Sequence, residues 1–362
     1  MDDSKMIAAT YTQNGEFAVQ EIPKPEISAD ELLLRVQAAS ICGTDVKIIR
    51  NGHRKLANNQ RIVLGHEFIG TIEKVGTNVS QFSVGTRVGV APNAGCGHCD
   101  GCIRGQSNYC DDFTAFGIDR DGAHASLVKI PAQFIRQGNV ISLPDSLSDQ
   151  AAALLEPLSC VVNGATVARL SCGDSVLIYG AGPMGLLHTM LARNSGAALL
   201  IAIDPQQDRL ERAVELGCDL AINPTSENVL ERVMDETGGR GVDVVITACP
   251  IPSVQTEAIS LLAPFGRLCL FGGLPKGSQA VPLDTNRIHY KNLLITGSTG
   301  GSVRDYHAAI ELVARQRIDV TQVISDVFTL DELEKGYQVA LNGASGKVAF
   351  VNSHESPVTE NK

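Results

Sequence analysis

Four cysteines fall within "GCGHCDGCIRGQSNYC", residues 95–110: Cys96, Cys99, Cys102 and Cys110. Two successive CxxC gaps precede a gap of seven residues, with glycines between the thiols. Four thiolates complete the tetrahedral shell of Zn²⁺ and leave no open position, the pattern of a structural rather than a catalytic site. An iron–sulfur run of the bacterial type closes on a three-residue gap and a proline, whereas Asp111 follows Cys110 here. A thioredoxin-like centre needs a single CxxC pair beside a βαβ pattern. The alternative to structural zinc is a set of free or redox thiols.

A second set of metal-binding residue types is scattered: Cys42 in "SICGTD", His66 and Glu67 in "VLGHEF", and Glu156 in "LLEPLSC". Each has an ordinary explanation by itself. Cys42 suits a small buried apolar position, His66 a hydrogen-bonded core, Glu67 the surface and Glu156 a helix face. A third motif, "VLIYGAGPMG", sets Gly180, Gly182 and Gly185 as G-x-G-x-x-G around Pro183 and Met184. It follows a strand-like run and opens a helical one, the context in which it binds dinucleotides. Gly180 serves the tight turn, Gly182 the backbone approach to a pyrophosphate and Gly185 helix–strand packing. Asp204 closes the next strand-like run, where an acid meets the adenosine ribose; its alternative role is to cap the following helix.

These motifs need elements to hold them. Residues 1–150 carry short β-like runs at 31–41, 68–76, 86–93 and 126–135, broken by turn residues, which predicts a mostly antiparallel β domain. From about residue 150 the pattern alternates. A helix is predicted over 148–170 with Ser148 as N-cap, then "SVLIYG", a helix over 183–196, "ALLIAID", a helix over 205–217, "VDVVITAC", a helical "SVQTEAISLLAPFG", "RLCLFGG" and "NLLITGS". That alternation predicts a doubly wound parallel α/β sheet. From Ser302 a helix and short strands return, expected to pack on the first domain, and residues 353–362 read as a disordered polar tail.

Composition bounds the rest. The chain has 362 residues, which suits two domains, and 44% hydrophobic residues, which supports a sizeable core. A net charge of −10 without a basic stripe speaks against nucleic acid and anionic membranes. The opening "MDDSKMIAATYTQNGEF" has no apolar leader core, and no run approaches the roughly 20 apolar residues of a membrane span. The expected compartment is the cytoplasm.

Taken in order, "CGTD", "GHE", the four-cysteine loop, "LLEPLSC" and "GAGPMG" resemble the zinc-dependent medium-chain dehydrogenases over about residues 8–350. "LLEPLSC" is similar to the polyol (sorbitol-type) branch, since the simple-alcohol branch has Cys where Glu156 stands. The resemblance implies a GroES-like catalytic domain over 1–158 and 298–362, with a structural zinc lobe at 93–112, and a Rossmann domain over 159–297. It implies one catalytic and one structural zinc per chain, and NAD. Cys42 and His66 would ligate the catalytic zinc, with Glu67 and Glu156 dividing ligation and water-holding in an order left open. Cys96, Cys99, Cys102 and Cys110 would hold the structural ion. Thr44 would relay the substrate proton, Asp45 would orient a ligand, and Arg209 would approach the ribose. Gly272 and Leu274 of "FGGL", and Ser298 and Thr299 of "GST", would line the nicotinamide. A homodimer or homotetramer is expected.

Two departures stand out. Lys47 replaces a relay histidine of the simple-alcohol branch, and "GAHASL" (122–127) replaces "GGFAEY" around His124. The basic segment 47–61 reads as a solvated loop or as a rim for an anionic sugar. The expected reaction is hydride transfer between NAD and a secondary hydroxyl of a polyol or related sugar. A sugar-phosphate or sugar-acid dehydrogenase is the alternative, and a non-catalytic zinc-stabilised NAD-binding protein the second. Aromatic residues are 4% and Trp is absent, which argues against a broad aromatic slot.

Overall fold

Alternating or continuous runs of Val, Ile, Leu and Ala favour pleated strands buried on one or both faces, and the computed structural model sorts them into two units. It describes residues 4–13 and 15–352, so the expected disordered tail at 353–362 lies outside the described residues. One unit comprises residues 1–159 with 301–362, the other residues 160–300. No helix among the described residues is long and apolar enough to cross a membrane.

The first unit is built on a seven-stranded sheet. Its order is Val140–Ser142, Arg87–Val90, Glu67–Val75, Leu32–Ser40, Lys347–Val351, Ile324–Thr329, with Leu127–Ile130 also pairing onto Leu32–Ser40. All pairs are antiparallel except the last of the path, in which Lys347–Val351 and Ile324–Thr329 run parallel. A three-stranded sheet, Glu16–Pro23, Lys5–Thr12, Arg61–Val63, accompanies it. Phe68, Phe116 and Phe134 are fully buried, with ring centroids 5.4 and 4.4 Å apart in succession. Each such side chain contributes about 1.5–3 kcal/mol by leaving water. The chain's last described strand thus lies beside one of its first: Ala349 pairs with Ser40 and Val351 with Ala38.

The second unit is a six-stranded parallel sheet in the order Leu220–Ile222, Leu199–Ile203, Ser175–Tyr179, Val242–Thr247, Leu262–Leu270, Leu294–Gly297. Counted along this unit the order is 3-2-1-4-5-6, the doubly wound arrangement whose switch point lies beside the first strand. The two fold types match the sequence expectation.

Three boundaries differ. The helix expected over 148–170 is two helices, Asp149–Ala153 and Leu155–Val167, with Ser148 capping the first through Ala151 N–H at 3.2 Å. "PAQFI" is a helix, Ala132–Arg136, led by Pro131 at its N-cap, where a missing N–H costs nothing. "SVQTEAISLLAPFG" is helical only to Leu261, and Leu262–Leu270 is strand. Phe265, at φ 65°, bends that strand and stays exposed.

Candidate metal centres and dinucleotide site

Strand Leu32–Ser40 ends two residues before Cys42, which caps helix Gly43–Asn51. Asp45, fully buried in the first turn, accepts the Cys42 N–H at 2.9 Å. Its other oxygen accepts the Gly65 N–H at 3.3 Å and lies 3.7 Å from His66 Nδ1. One carboxylate therefore ties the loop bearing Cys42 to the loop bearing His66. The sequence reading placed no helix here; the signal available was Cys42 and Asp45 three residues apart as a capping box. Thr44 is half-buried in the same first turn, and Lys47 is exposed.

The Cys42 sulfur, a His66 ring nitrogen and a Glu67 oxygen lie within 4.8 Å of one another. Burial works against a charged His66. The Cys42 and Asp45 charges, the Cys42 hydrogen bond and Glu156 nevertheless hold its imidazole well above the ordinary histidine range. The field of this cluster favours positive charge, and its soft, borderline and hard donors suit a divalent ion such as Zn²⁺. Glu156 opens helix Leu155–Val167 and is 6% exposed. It stands outside the three-residue group but within range of the His66 charge.

Glu67 is held by partners that sequence reasoning missed. Lys347, 280 residues away and also buried, contacts both carboxylate oxygens, one at 2.7 Å, and Ser40 Oγ donates to the second. The same Lys347 Nζ donates to Ile41 O at 2.9 Å. Burial pushes the Lys347 pKa down, but Glu67 and Cys42 raise it overall. The one available sequence signal was a lysine opening the apolar run "KVAFV".

The four-cysteine loop brings its sulfurs within 4.8 Å of one another as free thiols. Backbone N–H groups point at them: Cys96 N–H to Cys110 Sγ at 3.3 Å and Cys99 N–H to Cys96 Sγ at 3.4 Å. The His98 and Cys99 N–H groups bring the Cys96 thiol down to about 6, while burial pushes Cys102 up to about 12 and raises Cys110. Thiols crowded this way repel as anions unless a cation joins them, so the arrangement fits Zn²⁺. Gln133 and Gln137 both donate to Gly95 O at 2.7 Å. A Cβ at Gly95 would fall on Cys102 Sγ.

In the second unit Gly180 turns at φ 92°, and a Cβ there would lie 3.2 Å from Ala248 O. Gly182 caps helix Pro183–Asn194, with Met184 in its first turn, leaving the N-terminal N–H groups for an anion. A Cβ at Gly185 would overlap Gly180 O. Asp204 is buried, just after strand Leu199–Ile203. Oδ1 accepts Gln206 N–H at 2.9 Å before helix Gln207–Glu215, and Oδ2 accepts Ala181 N–H of the glycine loop at 2.8 Å. Arg209 Nη1 is 3.8 Å from Asp204 Oδ2, and its buried Nε has no hydrogen-bond partner. Gly272 sits against the Cys249 backbone, where a Cβ would come within 2.6 Å of Cys249 O. Leu274 is half-buried, Ser298 buried and Thr299 exposed. Asn163 holds that last segment, donating to Ser298 Oγ at 3.2 Å and Gly300 O at 2.8 Å. Among the basic residues of 47–61, Arg50 binds Leu341 O at 2.8 Å, and Lys55 covers the Phe113 ring and pairs with Asp119 at 3.8 Å.

Residues 28–145 match the family described as alcohol dehydrogenase GroES-like domain, and residues 183–315 match zinc-binding dehydrogenase. An L-threonine 3-dehydrogenase of Bacillus subtilis (strain 168) is 34% identical over 358 residues, 97% of this chain and 100% of that protein. Among solved structures, the alcohol dehydrogenase TADH from Thermus sp. ATN1 superposes with a TM-score of 0.87 at 30% identity, covering 96% of this chain and all of that one. Galactitol-1-phosphate dehydrogenase from Escherichia coli superposes at 0.85 with 25% identity and the same coverage.

Proposed function

This chain belongs to the zinc-dependent medium-chain dehydrogenases, oxidoreductases acting on CH–OH groups, and we propose that it moves a hydride between NAD and a secondary hydroxyl of a polyol or related sugar. In this reading residues 1–158 with 298–362 carry the zinc sites and 159–297 the dinucleotide. Cys42, His66 and Glu156 would hold the catalytic ion, and Cys96, Cys99, Cys102 and Cys110 the structural one. The catalytic ion supplies Lewis acidity that lowers the pKa of a neighbouring hydroxyl. Asp45 fixes the loops of Cys42 and His66. Thr44 would take the hydroxyl proton outward, and a bound nicotinamide would supply the hydride acceptor. The products are a ketone, NADH and a proton. Gly180, Gly182 and Gly185 admit the pyrophosphate, and Asp204 with Arg209 meets the adenosine ribose. Gly272, Leu274, Ser298 and Thr299 line the nicotinamide.

The observation that carries the substrate class is the Lys347–Glu67 pair. It spends the Glu67 charge internally, so Glu156 supplies the carboxylate of the ligand set. A donor set with a carboxylate in place of a second thiolate is harder and would suit an oxygen-rich substrate with vicinal hydroxyls. The likeness to L-threonine 3-dehydrogenase favours a second reading, a 3-hydroxy amino acid presenting a vicinal amine and hydroxyl to the same shell. The anionic-rim reading draws less support, since Arg50 and Lys55 hold protein segments.

The test is a substrate screen following NADH absorbance: polyols of four to six carbons, sugar acids, polyol phosphates, L-threonine and simple alcohols. Polyols are expected to give the highest kcat/KM. L-threonine ahead of all of them establishes the second reading. Ethanol or a long-chain primary alcohol ahead of every vicinal substrate refutes the role given to the carboxylate.

A further inference from the structure

His124 is fully buried and touches both segments that deliver the proposed catalytic ligands. Its ring lies against Gly65, the residue before His66; a Cβ there would come 2.6 Å from the ring Cγ, and Gly65 turns at φ 96°. Its Nε2 lies 3.2 Å from the carbonyl of Ser40, two residues before Cys42. A carbonyl only accepts, so Nε2 carries the proton and Nδ1 is an acceptor. The Tyr337 hydroxyl, buried on helix Leu333–Leu341, therefore donates to Nδ1 across 2.5 Å. Ser40 Oγ in turn donates to Glu67.

We propose that His124 and Tyr337 are a positioning pair for the catalytic metal. The tyrosine hydroxyl fixes the imidazole in its Nε2–H form, and the imidazole fixes the Ser40 carbonyl and the Gly65 turn, and through them Cys42 and His66. The inference rests on Cys42 and His66 being ligands. Without the Tyr337 hydroxyl, Nδ1 is left as a dry acceptor. The proton then moves to Nδ1 or the ring turns, and Ser40 O loses its donor. Outer partners of metal ligands are worth 10–100-fold in affinity; a pair acting one residue further out belongs at the lower end, about tenfold.

The full chain, loaded with zinc, is mixed with a chromogenic chelator. Wild type is expected to release zinc in a fast phase and a slow one, the slow phase from the four-cysteine site. Tyr337→Phe and His124→Phe are expected to speed the fast phase about tenfold and leave the slow one unchanged. Cobalt placed in the fast site is expected to show shifted thiolate charge-transfer and d–d bands in both. His124→Gln, whose amide can accept from Tyr337 and donate to Ser40 O, is expected to recover most of the wild-type rate. Should His124→Phe fail to fold, Tyr337→Phe, which loses one oxygen atom, decides the matter. A two-phase wild type with an unmoved fast phase and unmoved cobalt bands in Tyr337→Phe overturns this inference alone. A wild type that yields only a slow phase overturns the ligand reading beneath it.

Discussion

Lys347→Met removes the cation that faces a fully buried carboxylate. With Nζ 2.7 Å from Glu67 Oε1, the attraction is about 6 kcal/mol at an effective dielectric of 20. Desolvation of both groups offsets part of that, and breaking a buried pair from one side costs about 3–5 kcal/mol. Each kcal/mol shifts Tm by about 2–4 °C in a unit of this size, so Lys347→Met is expected to melt roughly 6–20 °C lower. Lys347→Met/Glu67→Gln, which leaves no unpaired charge, is expected to regain most of that. The pH dependence has a definite sign. In wild type the Lys347 pKa is raised, so its stabilising charge is complete below the unfolded value and is lost only as pH rises through the higher folded one. The pair is thus intact from pH 5 to 8. Calorimetry of the three zinc-loaded proteins at pH 7 reads the deficit and its recovery. A single variant no less stable than the double refutes the reasoning.

Three further outcomes are expected. Gly95→Ala sets a methyl on Cys102 Sγ, so elemental analysis is expected to fall from about two zinc per chain to about one, with the remaining ion still exchangeable. A 2′-phosphate about 4 Å from Asp204 meets about 4 kcal/mol of repulsion at a dielectric of 20, and Arg209 beside it offsets part. Wild type is expected to favour NAD over NADP by about tenfold or more in kcat/KM, and Asp204→Asn to erase the preference; equal use of both cofactors by wild type removes Asp204 from the ribose. Burial raises the Asp243 carboxyl, but the Arg240 hydrogen bond and the Ser175 donors bring it down to about 2. Its contribution is present above the unfolded value and lost as pH falls toward 2, so the stability gap between wild type and Asp243→Asn in urea melts is expected to close from pH 4 to pH 2.

What could be read in the sequence was short-range. The thiol spacing, the glycine fingerprint and Asp204 at a strand end each depend on residues within a loop or one βαβ unit, where covalent distance dictates spatial distance. The alternation after residue 150 carried the parallel sheet for the same reason. The long-range partners around the candidate metal site were not legible. Lys347 meets Glu67 across 280 residues and Tyr337 meets His124 across 213, and no local pattern encodes such a pairing. "PAQFI" misled because apolar, β-favouring residues after a proline serve equally as a short buried helix, and packing of Phe134 decided it.

The pairing of the last described strand with Leu32–Ser40 has a consequence for synthesis on the ribosome. Glu67 emerges long before Lys347, and at about 5–20 residues per second the interval of 280 residues lasts roughly 15–60 s. All of residues 160–300 appear in that interval and contain a complete parallel sheet of their own. The nascent amino-terminal half meanwhile carries a carboxylate destined for a dry interior and an open edge on Leu32–Ser40. Its own sheet closes only when the carboxy-terminal strand leaves the exit tunnel. Truncation before Lys347 therefore strands the first-made half of the chain, and that half is where a holding chaperone has most to protect.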